Sequence, residues 1–202
     1  MTKRSWVTCL DLEGILIPEI WIAVAKRFRV KELMLTTRDI PNYDRLMRHR
    51  LRILKKEKIT LPKIRRVIGR LKPLAGAKGF LKKLQAAGPV IVLSDTFYEF
   101  AGPLMRQLDD PTLFCNSLVV DRSGRITGYR LRQKDGKRKA VRAIKGIGFK
   151  VRAVGDSFND LTMLKAADRG IFFRPPAVIR KAHPNLPAAS NYAALLKKLI
   201  SE

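Results

Sequence analysis

Residues 6–14 read Trp-Val-Thr-Cys-Leu-Asp-Leu-Glu-Gly, an apolar run that ends in two carboxylates and a glycine. The apolar part predicts a short buried strand, and residues 11–14 predict the turn that follows it. Two further apolar runs end in the same way: residues 90–93 precede Ser94-Asp95-Thr96, and residues 151–154 precede Gly155-Asp156-Ser157-Phe158-Asn159-Asp160. Helical patterns separate these strands, so we expect an α/β fold with a doubly wound parallel sheet.

The chain between the first two strands has the hydrophobic spacing of helices. From residue 20 to about residue 71, apolar side chains recur every three to four positions with basic residues between them, which predicts three or four helices. We therefore expect an α/β core of residues 1–16 and 72–202 and a helical cap of residues 17–71. The core pattern further predicts a hairpin at residues 114–120 and 125–131, a last core strand at residues 170–173, and helices at about 73–87, 139–147, 160–167 and 192–200.

Length and composition indicate a protein with a packed core. The chain has 202 residues, 46% of them hydrophobic, which suits one globular domain with a small insertion. No run approaches the roughly 18 uncharged apolar residues of a membrane helix, because Asp11, Glu13 and Glu19 interrupt the best candidate, residues 6–25. This candidate also lacks the cleavage site of a signal peptide. We expect a soluble, cytoplasmic protein with no membrane partner, in which Cys9 and Cys115 are buried free thiols.

Positive charge is the strongest bias of the composition. The 42 Lys and Arg residues exceed the 17 Asp and Glu residues, which gives a net charge of +25. Residues 26–72 hold 17 Lys and Arg against 4 Asp and Glu, a net charge of +13. This balance is typical either of a protein with an anionic partner or of a strongly solvated surface. No segment combines basic residues with aromatics placed to stack on bases, so the sequence argues against a nucleic-acid partner.

The carboxylates after the three strands are expected to share one edge of the sheet, where ligands of such folds bind. Clustered carboxylates repel one another and raise each other's pKa unless a cation holds them. Oxygen ligands of this kind suit Mg²⁺, which keeps several waters and accepts phosphate oxygens. The residues by themselves therefore indicate a Mg²⁺-dependent phosphoryl site.

The three motifs, residues 11–16, 93–96 and 155–160, resemble the ordered motifs of the haloacid dehalogenase-like phosphatases. Longer strings resemble the phosphoserine phosphatase branch of that superfamily, whose members also transfer phosphate to homoserine. These strings are residues 18–21, 36–41, 50–54 and 93–100, and further likeness at residues 104–108 and 130–135 extends the resemblance over nearly the whole chain. The resemblance implies hydrolysis of O-phosphoserine through an aspartyl-phosphate, with homoserine as a second acceptor.

The resemblance implies a role for each acidic residue of the motifs. Asp11 matches the nucleophile. Glu13 matches the general acid and base, although the wider family has Asp there. Asp156, together with Asp11 and Glu13, matches the metal-binding set. Asn159 and Asp160 would steady the metal site or the basic residue near it.

The resemblance also implies how the phosphoryl group is bound. Ser94 and the backbone amide of Asp95 would bind its oxygens, with Asn159 beside them, and Gly14 would let the backbone approach. A lysine before the helix that precedes residue 151 would offset the phosphate charge. Lys134, Lys137 and Lys139 all lie there; we choose Lys137 because it stands at the expected helix start, with Lys134 as the alternative.

The cap is expected to recognise the amino-acid part of the substrate. Glu19 would bind the ammonium of phosphoserine, and Arg50 would bind its carboxylate with two parallel hydrogen bonds. The alternatives are that Glu19 is an ordinary first-turn residue and that Arg50 belongs to a solvated basic face. We expect His49 and His183 at the surface, and Trp21, Phe97 and Tyr98 in core or cap packing rather than at the ligand.

Two other functions remain compatible with the sequence. Core motifs do not determine the substrate, so a phosphatase of the same fold that acts on another small phosphomonoester is one alternative. A basic nucleic-acid-associated protein is the other, supported by the net charge alone. The sequence does not determine the oligomeric state, and a homodimer is compatible with it.

Overall fold

The computed structural model describes residues 5–37, 39–40 and 42–200. Two positions of the string at residues 36–41, Arg38 and Pro41, lie outside the described residues. The strands are β1 (Trp6–Leu10), β2 (Val90–Phe97), β3 (Leu113–Val120), β4 (Ile126–Arg130), β5 (Lys150–Gly155), β6 (Arg169–Phe173) and β7 (Ala188–Ala189). The helices are α1 (Ile20–Phe28), α2 (Tyr43–Lys56), α3 (Leu61–Ile68), α4 (Ala77–Ala86), α5 (Tyr98–Gln107), α6 (Gly136–Gly146), α7 (Leu161–Ala166), α8 (Ala177–Ala182) and α9 (Tyr192–Ile200), with 3-10 turns at Lys31–Met34 and Phe158–Asp160.

The strands form one sheet in the order β4-β3-β2-β1-β5-β6-β7. All neighbouring strands are parallel except β3 and β4, which form the predicted hairpin. Strand β1 lies between β2 and β5, with Leu10 opposite both Val92 and Val154. The doubly wound α/β fold is therefore confirmed. Strand β1 has β2 on one side and β5 on the other, so the strand order changes direction at β1. Ligands of these folds bind in the crevice at such a point.

The sheet separates two apolar clusters. Side chains of β1 alternate between them: Val7 and Cys9 pack with α6 and α7 residues, whereas Leu10 packs with the residues of α1, α5 and α9. Both cysteines are buried and free, as expected, and burial raises the pKa of the Cys9 thiol to about 12. Cys9 is therefore an inert core residue.

The inserted helices α1, α2 and α3 occupy the segment that was expected to be helical. Helix α3 packs against α1 and α5, and α2 contacts β4. The division into a core and a cap at residues 16/17 and 71/72 stays a prediction. Within the described residues, no helix combines the length and the apolar character needed to cross a membrane.

Some expectations about local structure were wrong. Strand β2 does not end at Leu93 but continues to Phe97, because Phe97 pairs with Asn116 of β3 after a register shift. Helix α4 begins only at Ala77, because Gly76 adopts a left-handed conformation with φ 84°. Strand β7 and helix α8 were not expected, and elements of two and six residues are too short to leave a periodic signal.

Two histidines and one tyrosine also differ from the expectation. His183 is half-buried and its ring stacks on Phe172, and His49 is half-buried with Nε2 enclosed, so neither is a simple surface residue. Tyr98 is 47% exposed and its hydroxyl donates to the Leu113 carbonyl, so it is not a core residue.

Candidate active site

A cavity of about 290 Å³ opens where β1, β2 and β5 end. Nine of the candidate site residues line it: Asp11, Glu13, Glu19, Arg50, Ser94, Asp95, Lys137, Asp156 and Asn159. Asp160, the tenth, is fully buried behind the cavity wall. The carboxyl ends of parallel strands meet at one edge, which is why three separate turns of the sequence converge here.

Lys137 is the cation at the centre of this cluster. Its Nζ lies 2.8 Å from Asp11 Oδ1 and 2.7 Å from Asp160 Oδ1, and 3.7 Å from Asp95 Oδ2. Burial alone would lower the pKa of Lys137, but the neighbouring carboxylates outweigh burial and raise this pKa well above its usual value. Lys134 and Lys139 are exposed, so the structure places Lys137 and neither of the other two against Asp11.

Asp160 shapes the turn after β5. Its Oδ2 accepts hydrogen bonds from the backbone N–H groups of Asp156 and Ser157, at 3.0 and 3.1 Å, and from the Ser157 hydroxyl at 3.0 Å. Its Oδ1 accepts from Lys137. A Cβ on Gly155 would lie 2.3 Å from Asp160 Cβ, so only glycine allows this approach. Asp160 therefore positions Asp156 and Lys137.

Asp11 and Asp156 form the part of the cluster that fits a metal ion. Carboxylate oxygens of Asp11, Asp156 and Asp160 lie within 4.8 Å of one another, but both oxygens of Asp160 already accept hydrogen bonds. Burial and the Asp160 carboxylate raise the pKa of Asp11 well above its usual value, and Lys137 opposes this only in part. The same two causes raise the pKa of Asp156 to about 6. A divalent cation between Asp11 and Asp156 fits this excess of negative charge.

Gly14 makes room for Asp156. Its φ is 76°, and a Cβ at this position would lie 2.4 Å from Asp156 Oδ2. The turn after β1 therefore requires glycine at position 14 for two reasons: its left-handed conformation and the close approach of the Asp156 carboxylate.

Glu13 and Glu19 lie next to each other in the cavity. Burial raises the pKa of Glu13 well above its usual value, and the adjacent Glu19 carboxylate and its hydrogen bond raise it further. A carboxyl group with a raised pKa is better suited to protonate a leaving group than an ordinary one. Glu19 was expected either at the substrate ammonium or as an ordinary first-turn residue, and its contact with Glu13 was not expected.

Arg50 is buried on the inner face of α2 and lines the cavity, so it does not belong to a solvated face. Its guanidinium carbon lies 4.5 Å from the centre of the Trp21 ring, and its Nη2 donates to the Leu35 carbonyl at 2.9 Å. Within the described residues its Nε has no hydrogen-bond partner. Burial lowers the pKa of Arg50 to about 10, which leaves it charged at neutral pH. Trp21 thus does more than pack: it lines the cavity and supports Arg50.

Ser94 and Asp95 lie within β2, at its register shift, and residues of other elements hold them. The Asp95 carbonyl accepts hydrogen bonds from the Tyr43 hydroxyl at 2.9 Å and from Asn116 Nδ2 at 3.1 Å. The Asp95 carboxylate accepts one from Asn159 Nδ2 at 3.3 Å. Ser94 is buried, and its hydroxyl accepts from the Thr96 backbone. This bonding holds the second half of β2 in place, and Ser94 and Lys137 line the same cavity.

The sequence analysis missed several cavity residues. Tyr43, Thr36, Thr37 and Thr96 all line the cavity. Thr96 is buried, and its hydroxyl has no hydrogen-bond partner within the described residues. The position of Thr96 inside the motif at residues 93–96 was the one sequence signal for its role. Nothing else in a single sequence distinguishes a threonine that faces a cavity from one that does not.

Comparisons with known proteins agree on one family. A family model described as "haloacid dehalogenase-like hydrolase" matches residues 19–168. The chain is 50% identical over 194 residues to "Phosphoserine phosphatase" of Pseudomonas syringae pv. tomato, covering 96% of this chain and 82% of that protein. It is also 50% identical to "Phosphoserine phosphatase ThrH" of Pseudomonas aeruginosa, covering 96% of this chain and 95% of that protein. Among solved structures, "Phospho-Aspartyl Intermediate Analogue of Phosphoserine phosphatase" superposes with a TM-score of 0.81 at 23% identity, covering 98% of this chain and 100% of that one.

Proposed function

Because the chain belongs to the haloacid dehalogenase-like hydrolases, we propose that it hydrolyses O-phosphoserine through a covalent phosphate on Asp11. The observation that carries this proposal is the buried contact between Lys137 and Asp11, in a cavity that Arg50 also lines. The two 50% identical relatives support phosphoserine as the substrate. The cavity can therefore receive a phosphate at one end and an amino-acid group at the other.

The reaction has two displacements at phosphorus. First, a carboxylate oxygen of Asp11 forms a bond to phosphorus while the bond from phosphorus to the serine oxygen breaks, and Glu13 gives its proton to that oxygen. Next, Glu13 as carboxylate takes a proton from water, and the resulting hydroxide displaces Asp11 from phosphorus. The products are serine, inorganic phosphate and the free Asp11 carboxylate. Lys137 offsets the negative charge that gathers around Asp11 during both steps.

We propose Mg²⁺ as the cofactor, held by Asp11 and Asp156 with Glu13 nearby. This assignment is supported by the raised pKa values of Asp11 and Asp156. It is also supported by the ligand atoms of the cluster of Asp11, Asp156 and Asp160, which are all carboxylate oxygens. When bound, the ion would supply positive charge that stabilises the phosphoryl oxygens. Asp160 would then act by holding Asp156 and Lys137 in place.

Recognition of the substrate is divided between the two ends of the cavity. Ser94, the Asp95 backbone amide and Lys137 would bind the phosphoryl oxygens, with Asn159 steadying Asp95. Arg50 would bind the carboxylate through its free Nε edge, and Glu19 would bind the ammonium. Residues 17–71 would form the cap over this end.

We further propose that homoserine serves as a second acceptor. Homoserine has the same ammonium and carboxylate as serine, so Arg50 and Glu19 would bind it in the same way. Its hydroxyl would then displace Asp11 from phosphorus in place of water. A cytoplasmic location is supported by two buried free thiols. Homodimerisation stays a prediction from the sequence, which light scattering of the purified protein would test.

The direct test is phosphate release from a panel of phosphomonoesters, with and without Mg²⁺ and homoserine. Phosphoserine should be the preferred substrate, and activity should require a divalent cation. Asp11→Asn should lose about 99% of turnover, a roughly hundredfold fall, because an amide does not attack phosphorus at a useful rate. For the same reason the variant should form no covalent phosphoenzyme. The matched control is Asp109→Asn, an exposed carboxylate paired with Lys78 outside the cavity, which should keep full activity. Preference for another phosphomonoester would overturn the substrate, and an active Asp11→Asn would overturn the nucleophile.

A further inference from the structure

Part of the positive charge of the chain lies on a surface outside the candidate active site. Two grooves lie on this surface. One, of about 240 Å³ between α1 and α3, is lined by Arg27, Phe28, Lys63, Arg66, Val67 and Arg70. The other, of about 790 Å³, lies between the end of α2 and the turn of the β3–β4 hairpin, and its cations are Arg52, Lys55, Lys58 and Arg125. We call these eight cations the outer basic face.

The two grooves are joined at the turn between α2 and α3. Lys63 of the first groove donates a hydrogen bond from Nζ to the Lys58 carbonyl of the second, at 2.9 Å. At 1.5 Å per residue, residues 52–56 of α2 and 63–68 of α3 each extend roughly 6–9 Å along their helices. The two grooves therefore adjoin each other, so that one strand could contact cations of both.

The cations of this face are largely unpaired. Some cations elsewhere have acidic partners, such as Lys78 with Asp109 and Lys145 with Asp168. On the outer basic face Arg125 pairs with Asp121. Among the described residues, no carboxylate lies within 4.0 Å of the charged nitrogens of the other seven cations, and no carboxylate lines either groove. Seven like charges held together repel one another, and a polyanion would relieve this repulsion.

The floors of both grooves are apolar. Phe28 and Val67 lie in the first groove, and Leu51, Leu54, Ile59 and Ile126 lie in the second. The large hydrophobic side chains that protrude from the described surface lie at other positions: Met34, Tyr98, Leu131, Ile147, Phe158, Val178 and Ile200. A helix that inserts into a membrane needs protruding apolar side chains among its cations, so this face is poorly suited to lipid. Recessed apolar floors under a rim of cations suit the sugars and bases of a strand whose phosphates contact the rim.

We infer that the outer basic face binds a single-stranded nucleic acid through its phosphates, independently of the phosphatase reaction. The sequence analysis argued against such a partner because no single segment carries the required pattern. Seven of the eight cations lie within residues 27–70, in or beside α1, α2 and α3, and the fold brings Arg125 of the hairpin to them. Helix α2 separates the two functions: Arg50 faces the cavity on its buried side, and Arg52 lies on its exposed side.

The test measures binding of a fluorescein-labelled 20-nucleotide RNA and the same DNA sequence to the full chain by anisotropy, over a range of salt concentrations. At about 150 mM salt we expect a Kd between about 10⁻⁴ and 10⁻⁶ M for both strands. The variant Arg52→Gln/Lys55→Gln/Arg66→Gln/Arg70→Gln removes four exposed cations of the face. It should weaken binding about tenfold or more and reduce the slope of log K against log salt by up to about 3, at roughly 0.7 per lost contact.

A matched control removes the same charge elsewhere. The variant Lys83→Gln/Arg142→Gln/Lys165→Gln/Lys181→Gln changes four exposed cations outside both grooves, and it should keep the binding slope of the wild type. Both variants should keep phosphate release, which shows that they fold. Equal weakening in both variants would overturn the assigned face in favour of diffuse attraction. Binding to vesicles with about 30% anionic lipid that exceeds binding to either strand would overturn the nucleic acid as the partner.

Discussion

At the scale of single residues, Arg50 and Thr96 show how the cavity is prepared for a ligand. Arg50 is a buried cation without a carboxylate partner among the described residues, and Thr96 is a buried hydroxyl without an acceptor. Such groups cost free energy in the empty protein, several kcal/mol for a charge and about 1–3 kcal/mol for a neutral polar group. A substrate that supplies the missing partners would recover this cost on binding.

Arg50→Ala should weaken turnover of phosphoserine and spare substrates without a carboxylate. Loss of one charged partner costs about 2–5 kcal/mol, which corresponds to a roughly 30- to several thousand-fold fall in kcat/KM. Arg50→Lys should recover only part of this loss, because an ammonium cannot make two parallel hydrogen bonds. Steady-state kinetics with phosphoserine and phosphoethanolamine measure both effects. Equal losses on the two substrates would mean that Arg50 supports the fold rather than the ligand.

Thr96→Val should lower activity on phosphoserine without lowering the thermal stability of the protein. If the Thr96 hydroxyl bonds to the substrate, its removal should lower kcat/KM for phosphoserine roughly tenfold, and Thr96→Ser should restore most of the activity. Because valine has the same shape and removes an unpaired buried hydroxyl, thermal stability should not fall. A variant that is fully active, or one that is less stable than the wild type, would contradict this role.

At the scale of elements, the two turns after β1 and β5 are built against each other. Gly14 in the first turn leaves space for Asp156 in the second, and Gly155 leaves space for Asp160. The β-strands are defined by local apolar patterns, but the positions of the Asp156 and Asp160 carboxylates depend on these two contacts. The site is therefore sensitive to changes in glycines that carry no functional group.

Gly14→Ala should destabilise the protein and weaken Mg²⁺ binding. An alanine at φ 76° costs about 1–2 kcal/mol, and its Cβ would displace the Asp156 carboxylate. The matched control is Gly79→Ala in α4, where a Cβ meets no atom within 4 Å and where helix propensity should stabilise the protein by up to about 1 kcal/mol. Thermal unfolding and Mg²⁺ titration measure the pair. A Gly14→Ala protein with the Mg²⁺ affinity of the wild type would contradict the packing argument.

At the scale of the whole molecule, a strongly cationic exterior surrounds a cavity that is rich in carboxylates. The chain carries a net charge of +25, yet Asp11, Asp156 and Asp160 meet with one lysine among them. Burial and mutual repulsion raise the pKa of Asp156 from 3.8 to about 6. A carboxyl group with a raised folded-state pKa stabilises the fold below the unfolded pKa, and this stabilisation is lost as the pH rises through the folded value.

Asp156→Asn should therefore stabilise the metal-free protein at high pH. At pH 8 the ionised Asp156 opposes folding by about 3 kcal/mol, from a shift of roughly two pKa units, and the amide removes this opposition. At pH 4 the two proteins should unfold at similar temperatures. Adding Mg²⁺ should raise the Tm of the wild type and leave the Tm of Asp156→Asn nearly unchanged. A variant that shows no gain in Tm between pH 4 and pH 8 relative to the wild type would refute the raised pKa.

Local patterns of the sequence by themselves determined the sheet class, the positions of most strands and helices, and the three carboxylate turns. They did so because apolar periodicity and strand-terminal polar residues are encoded within a few neighbouring positions. Tertiary structure alone decided that Lys137 contacts Asp11 while Lys134 and Lys139 point to solvent, since this depends on the rotation of α6 against the sheet. It also decided the Glu13–Glu19 contact, the support of Arg50 by Trp21, and the joining of cations from three helices and a hairpin into one surface. Each of these depends on how separate turns and elements pack together, and no local periodicity specifies which side chains such packing brings together.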